Sequence, residues 1–276
     1  MSAAFFDLDR TLIAGASIFP FAIEAWRAGL VSNRDIRRFA RGALAFLVVG
    51  DQGERSDQVR SDMLGRVEGV AVEVLEDVAQ RVLPRLVARV RPESKRLIKM
   101  HHQAGRDTWI VSASPYGIVA PLADALGMTG AVATRGKVVD GHYTAEIDGP
   151  FVYGQGKVEA IAALAAERGY NLTASYAYSD SISDLPMLEL VGHPVAVNPD
   201  GHLEDVAHER GWPVVIFARK TKQMLRVSLG SVFLVLTAVG TYLLGRRHGR
   251  IQDGRRKTEG GKAPFSPSGD SPQRCP

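Results

Sequence analysis

Short apolar runs that end in polar residues recur along this chain, and helical patterns separate them. The runs are AAFFDLD (3–9), DTWIVSAS (107–114), ASYAYSD (174–180), HPVAVN (193–198) and PVVIFA (213–218). PESKRLIKMHHQAG opens on Pro92 and closes on Gly105, PYGIVAPLADALG closes on Gly127, and GKVEAIAALAAERG closes on Gly169. Proline early in a helix and glycine just past its end are helix punctuation. Strands alternating with such helices predict an α/β fold: a Rossmann-like, mostly parallel sheet covered on both faces.

Two segments interrupt the alternation. Residues 15–90 contain FPFAIEAWRAGLV, RDIRRFARGALAFLVVG and AVEVLEDVAQRVLPRLVARV, with helical spacing and no strand pattern, so a helical cap is expected there. The core is then 1–14 together with 91–218. AVATRGKVVDGHYTAEIDG (131–149) reads as a β-hairpin on the sheet edge, turning at Asp140-Gly141. Phe19, Phe21, Trp26, Phe39 and Phe46 of the cap are expected in helix packing.

Charge is unevenly distributed. The net +4 resolves into 12 basic and 3 acidic side chains in 219–276 against 22 and 27 in 1–218, so the globular part is acidic and nucleic acid is not an expected partner. The basic excess surrounds VSLGSVFLVLTAVGTYLLG (227–245), a run without charge. As a helix it would span roughly 28 Å, the scale of a bilayer core. A C-terminal transmembrane helix at 227–245 and a disordered basic tail at 246–276 are therefore expected. With no secretory leader pattern at the N-terminus, the expected arrangement is a membrane-anchored protein with a cytoplasmic catalytic domain. The single cysteine, Cys275, provides neither a disulfide framework nor a cysteine-based zinc site. His101, His102 and His193 lack ligand spacing and are expected on the surface or in the core.

In an open parallel sheet, ligands bind beyond the carboxyl ends of the strands. Asp7 and Asp9 close the first run and, if both lie on the strand, share one face. Ser112 closes the second, and Asp180 and Asp184 follow the third. Lys157 opens a helix after GQG, where an ammonium and a helix N-terminus can face an anion. Carboxylates, a hydroxyl and a lysine suit a hard dication such as Mg²⁺ and a phosphate.

DLDRT (7–11), VSAS (111–114), Lys157 in GKVEAI and SDSISD (179–184) together resemble, in order and approximate spacing over residues 1–218, the four motifs of haloacid dehalogenase superfamily phosphohydrolases, and the insertion resembles the cap of the phosphoserine-phosphatase-like subgroup. The resemblance implies a Mg²⁺-dependent phosphomonoesterase that works through an aspartyl-phosphate. It makes Asp7 the nucleophile and Asp9 the general acid and base. Asp7, the Asp9 carbonyl and Asp180 would hold Mg²⁺; Thr11, Ser112 and Lys157 would bind the phosphoryl group, with Ser183 and Asp184 in support. Two positions depart from the pattern: Ala16 replaces the acid that meets the amino group of phosphoserine, and Ser183 replaces an asparagine. A small-molecule or lipid phosphomonoester is the expected substrate. A phosphorylatable receiver-like module and a catalytically silent membrane scaffold are the alternatives.

Overall fold

The computed structural model describes residues 1–30 and 68–217. The expected transmembrane helix (227–245), the basic tail, and Phe39 and Phe46 lie outside the described residues. Among the described residues no helix is long and apolar enough to cross a membrane.

The first strand, β1 (Ala3–Asp7), is buried throughout. It is followed by α1 (Ile18–Arg27), α2 (Val72–Arg89), α3 (Pro92–Gln103), β2 (Asp107–Pro115), α4 (Tyr116–Ala125), β3 (Gly130–Thr134), β4 (Gly136–Val139) and β5 (His142–Ile147). The remainder is α5 (Gln155–Arg168), β6 (Tyr176–Ser179), α6 (Leu185–Glu189), β7 (His193–Val197), α7 (Gly201–Glu209) and β8 (Val214–Val215). Six strands form one parallel sheet in the order β3-β2-β1-β6-β7-β8. With the β4–β5 hairpin set aside, this is the 3-2-1-4-5-6 order of doubly wound dinucleotide-binding folds, not the 2-1-3-4-5 order of receiver-type sheets.

Both faces of the sheet are apolar because both are covered. Ala4 and Phe6 of β1 pack with Ile110, Tyr178 and Val195 beneath α1 to α4. Ala3 and Phe5, on the opposite face, pack with Trp109, Val111 and Ala177 beneath α5, α6 and α7. Full burial of a phenylalanine contributes about 1.5–3 kcal/mol, so β1 is stabilised on each side.

Three sequence expectations need correction. β1 ends at Asp7, so Asp9 does not lie on the strand. The chain enters a wide turn at Leu8–Leu12, with Arg10 in the left-handed region (φ 64°) and Ile13 N–H donating to Leu8 O at 3.0 Å. The hairpin also differs. Its Asp140-Gly141 turn has positive φ at both residues, as a tight hairpin requires, but β4 and β5 form a separate two-stranded sheet. The stretch expected as its first strand includes β3, which instead joins the main sheet beside β2. The hairpin's outer edge pairs with the segment before α2, through Tyr143 N–H to Val70 O at 2.9 Å and Gly69 N–H to Tyr143 O at 2.8 Å. Finally, the run at 213–218 yields only two strand residues, since a terminal edge strand has one partner.

The chain just before α1 and the chain just after α2 meet side by side at a neck. Ile13 and Val90 form an antiparallel bridge, flanked by Ala14 N–H to Arg89 O at 2.8 Å and Arg91 N–H to Leu12 O at 3.1 Å.

His101 is core, as its lack of ligand spacing suggested. Its Nδ1 accepts from Arg106 Nε at 2.8 Å, so Nε2 carries the proton and meets Tyr178 Oη, also at 2.8 Å. Burial lowers its pKa, Arg106 and His102 lower it further, and it falls to about 4. A histidine depressed in the folded state contributes stability above its unfolded pKa near 6.5. That contribution is lost as pH falls toward about 4. Urea unfolding at pH 7, 5.5 and 4 should show wild type losing up to about 3 kcal/mol from this group. His101→Gln should start lower at pH 7 and vary less; an equally steep profile would remove His101 as the cause.

Candidate active site

The strand order reverses direction between β1 and β6, and their carboxyl ends carry Asp7 and Asp180. Both carboxylates are buried. Lys157 is brought to them by α5, whose entry depends on a close backbone approach. A Cβ on Gly156 would lie 1.9 Å from Phe151 O, so only glycine lets the chain turn into the helix there. The buried ammonium donates to Asp7 Oδ1 at 2.7 Å and to Asp184 Oδ2 at 2.8 Å. Ser179 Oγ donates to the same Asp184 oxygen at 2.6 Å. Asp200 braces the turn from below, accepting from Ile182 N–H at 2.9 Å and donating its own N–H to Asp180 O at 2.8 Å.

Asp9 is held differently. Its two oxygens accept from Ser17 N–H at 2.7 Å and Ser17 Oγ at 3.1 Å, at the entry to α1. Ser17 Oγ in turn lies 3.0 Å from Ser114 Oγ. Burial raises the Asp9 pKa, although both Ser17 bonds oppose the shift.

Ser112 is buried in β2 just before its register shifts, where its Oγ accepts from Ser114 N–H at 3.1 Å. Thr11, expected to bind the phosphoryl group, uses its hydroxyl proton on Asp180 Oδ1 at 3.2 Å. The Ser183 hydroxyl meets Ser181 Oγ at 3.0 Å. The structure thus gathers two hydrogen-bonded sets at the strand ends, Asp7–Lys157–Asp184 and Thr11–Asp180, with Asp9 on a separate arm. Sequence reasoning missed Ser17, Ser114, Ser179 and Asp200. Ser179, inside the quoted SDSISD, and Ser114, inside the quoted VSAS, had a visible signal.

The electrostatics favour a cation. Burial raises the Asp7 pKa, Lys157 opposes this, and Asp184 and Asp180 raise it further. Burial pushes Asp180 up to about 7 against Arg10 and the Thr11 bond. Burial pulls Lys157 down, but Asp184 and Asp7 outweigh it and hold the ammonium above its ordinary range. Arg10 Nε lies 3.1 Å from Asp180 Oδ2 without hydrogen-bond geometry, so that buried oxygen has no hydrogen-bond donor. Two crowded carboxylates, one with an orphaned oxygen, fit a hard dication such as Mg²⁺. Among the described residues no three His, Cys, Asp or Glu side chains converge on a metal position. The available donors are therefore Asp7, Asp180 and main-chain oxygen such as that of Asp9, whose carboxylate is committed to Ser17. A cavity of about 300 Å³ lies elsewhere, between β3 and α5, and none of these residues lines it.

Residues 4–189 match the family model described as haloacid dehalogenase-like hydrolase. A Mycobacterium tuberculosis protein named "Probable phosphatase" is 41% identical over 258 residues, covering 89% of this chain and 90% of that one. Phosphoserine phosphatase SerB1 of the same species is 35% identical over 255 residues, covering 90% and 82%. The crystal structure of a Bordetella pertussis protein described as of unknown function aligns with a TM-score of 0.68 at 29% identity, covering 78% of this chain and 97% of that one.

Removing Lys157 alone leaves two buried carboxylates unpaired. Lys157→Met should cost about 3–5 kcal/mol in chemical denaturation. Adding Asp184→Asn should recover part of that loss. A double variant no more stable than the single one would show that the carboxylate at 184 does not drive the penalty.

Proposed function

We propose that this chain, which belongs to the haloacid dehalogenase-like hydrolase family, is a phosphatase that hydrolyses phosphomonoesters through a phosphorylated Asp7. The observation that carries this reading is the buried set of Asp7, Lys157 and Asp180 at the reversal of strand order, with Asp9 held beside it by Ser17.

Lys157 fixes Asp7 Oδ1 and leaves Oδ2 to attack phosphorus. The phosphorus–alkoxide bond breaks as the bond to Asp7 forms, and Asp9 gives its proton to the leaving oxygen. Asp9, now a carboxylate steadied by Ser17, takes a proton from water. That water attacks phosphorus, releasing inorganic phosphate and restoring Asp7. Lys157 and Ser112 face the charge that develops on the phosphoryl oxygens. Thr11 and Asp184 act one step back, on Asp180 and Lys157. Mg²⁺, held by Asp7, Asp180 and the Asp9 carbonyl, would neutralise phosphoryl charge when bound.

The substrate is a small phosphomonoester or a membrane-associated one. The phosphoserine reading draws support from the named M. tuberculosis relative, and Ala16 weighs against recognition of an amino group. A membrane-associated ester draws support from the apolar run at 227–245 and its basic flanks. The same run supports the reading of a membrane-anchored enzyme with its catalytic domain in the cytoplasm.

Phosphate release from a panel of soluble and detergent-dispersed lipid esters, with and without Mg²⁺, tests these readings. Asp7→Asn should lower turnover by about 10⁴-fold or more. Because it removes a crowded buried charge, the same variant should lose little stability at pH 8 without metal. Turnover that survives in Asp7→Asn would exclude Asp7 as nucleophile. Activity confined to soluble esters would exclude the membrane-associated substrate.

A further inference from the structure

Asp9 is held by a contact that two elements share. Its carboxylate accepts from Ser17 N–H and Ser17 Oγ at the entry to α1, and the same Ser17 Oγ lies 3.0 Å from Ser114 Oγ on β2. Ser17 occupies the N-cap of α1, where a serine hydroxyl ordinarily accepts from a main-chain N–H, yet it makes no capping bond. It is buried, and its hydroxyl is committed to Asp9 and Ser114 instead.

β2 is irregular at the same place. Ser112 faces Ala133 of β3 and Pro115 faces Thr134, so Ala113 and Ser114 have no counterpart on the neighbouring strand. Bulges bend a strand and re-aim its side chains, and they are common beside active sites. Here the bulge places Ser114 N–H on Ser112 Oγ and the Ser114 hydroxyl on Ser17.

Proton counting fixes the direction of this chain of hydroxyls. A serine hydroxyl has one proton to give and two lone pairs to receive. Ser17 Oγ gives its proton to Asp9 Oδ2, so Ser114 is the donor between the two serines. Linked hydroxyls polarise one another, which strengthens the last bond, to the carboxylate. Without Ser114, Ser17 Oγ loses the incoming bond that sets its own proton toward Asp9.

We propose that Ser114 is a positioning residue for Asp9: acting through Ser17, it holds the Asp9 carboxyl in the orientation from which a proton reaches the leaving oxygen of the ester. This rests on the phosphatase reading with Asp9 as the acid, and adds to it a residue of β2. Loss of Ser114 then matters in proportion to the protonation that the leaving group needs. A nitrophenolate departs without a proton, whereas an alkoxide requires one.

The test uses the full chain with Mg²⁺ and two esters of similar size. 4-Nitrobenzyl phosphate releases an alcohol, and 4-nitrophenyl phosphate releases a stabilised phenolate. Their kcat/KM values report the steps up to departure of that group, so the later attack of water does not enter. Ser114→Ala should lower kcat/KM about tenfold for the nitrobenzyl ester, a part of what general acid catalysis supplies, and less than about threefold for the nitrophenyl ester. Ser114→Thr keeps the hydroxyl and should restore the ratio. Ser114→Cys, a weak donor of similar shape, should fall between, and it carries the test if Ser114→Ala does not fold. Ser17→Ala should split the esters in the same way, and adding Ser114→Ala to it should change the ratio little, because one serine acts through the other. A merely structural defect would slow both esters alike. Equal losses on the two esters, or losses that add in the double variant, overturn the proposal. Asp9→Asn separates the two readings. If it splits the esters and Ser114→Ala does not, the phosphatase reading stands and the role of Ser114 falls. If Asp9→Asn splits neither, Asp9 is not the acid and both fall.

Discussion

The ammonium of Lys157, buried between Asp7 and Asp184, is the contact on which the arrangement depends. It joins the end of β1, the start of α5 and the turn after β6; the first two lie 150 residues apart in sequence and the last a further 27 along. A buried lysine is tolerable only when anions surround it, and buried carboxylates only when a cation does. Removing the ammonium leaves two carboxylates uncompensated, whereas removing one carboxylate leaves the lysine its other partner. The approach of Gly156 to the Phe151 carbonyl serves the same contact, because it sets where α5 begins and so where the ammonium lands.

Topology supplies the place and the turn after β1 supplies the division of labour. The parallel sheet brings Asp7 and Asp180 to one crevice because β1 and β6 are neighbours whose carboxyl ends point the same way. The chain then leaves β1 through Leu8–Leu12, and Arg10 adopts a left-handed conformation there. That turn sends Asp9 toward Ser17 and the entry to α1, while Thr11 returns to Asp180. Two acids two residues apart thus acquire different environments. Asp7 is crowded by carboxylates and held by lysine; Asp9 is half-buried against hydroxyl and amide. In the proposed mechanism these separate environments let one carboxylate attack and the other carry a proton.

Much of this was legible in the chain. The apolar runs at 3–9, 107–114, 174–180 and 193–198 correspond to strands of the parallel sheet, and Pro92, Gly105, Gly127 and Gly169 mark helix ends within a residue or two. Asp7, Lys157, Asp180 and Asp184 converge because strand ends in such a sheet share an edge. The hairpin turn was visible in Asp140-Gly141, but its separation from the main sheet was not. Strand pairing is a choice among partners distant in sequence, and local pattern does not register that choice.

Sequence alone determined the fold class and the identity of the acid, hydroxyl and lysine groups, since apolar periodicity and strand-end chemistry are local properties of the chain. The tertiary structure decided how those groups divide. It turned Asp9 off the strand and onto Ser17, gave the Thr11 hydroxyl to Asp180, and placed Arg91 against the Leu8–Leu12 turn with a buried nitrogen unmet. Hydrogen-bond partners and desolvation arise from contacts between segments far apart in sequence, and they exist only once the chain has closed on itself.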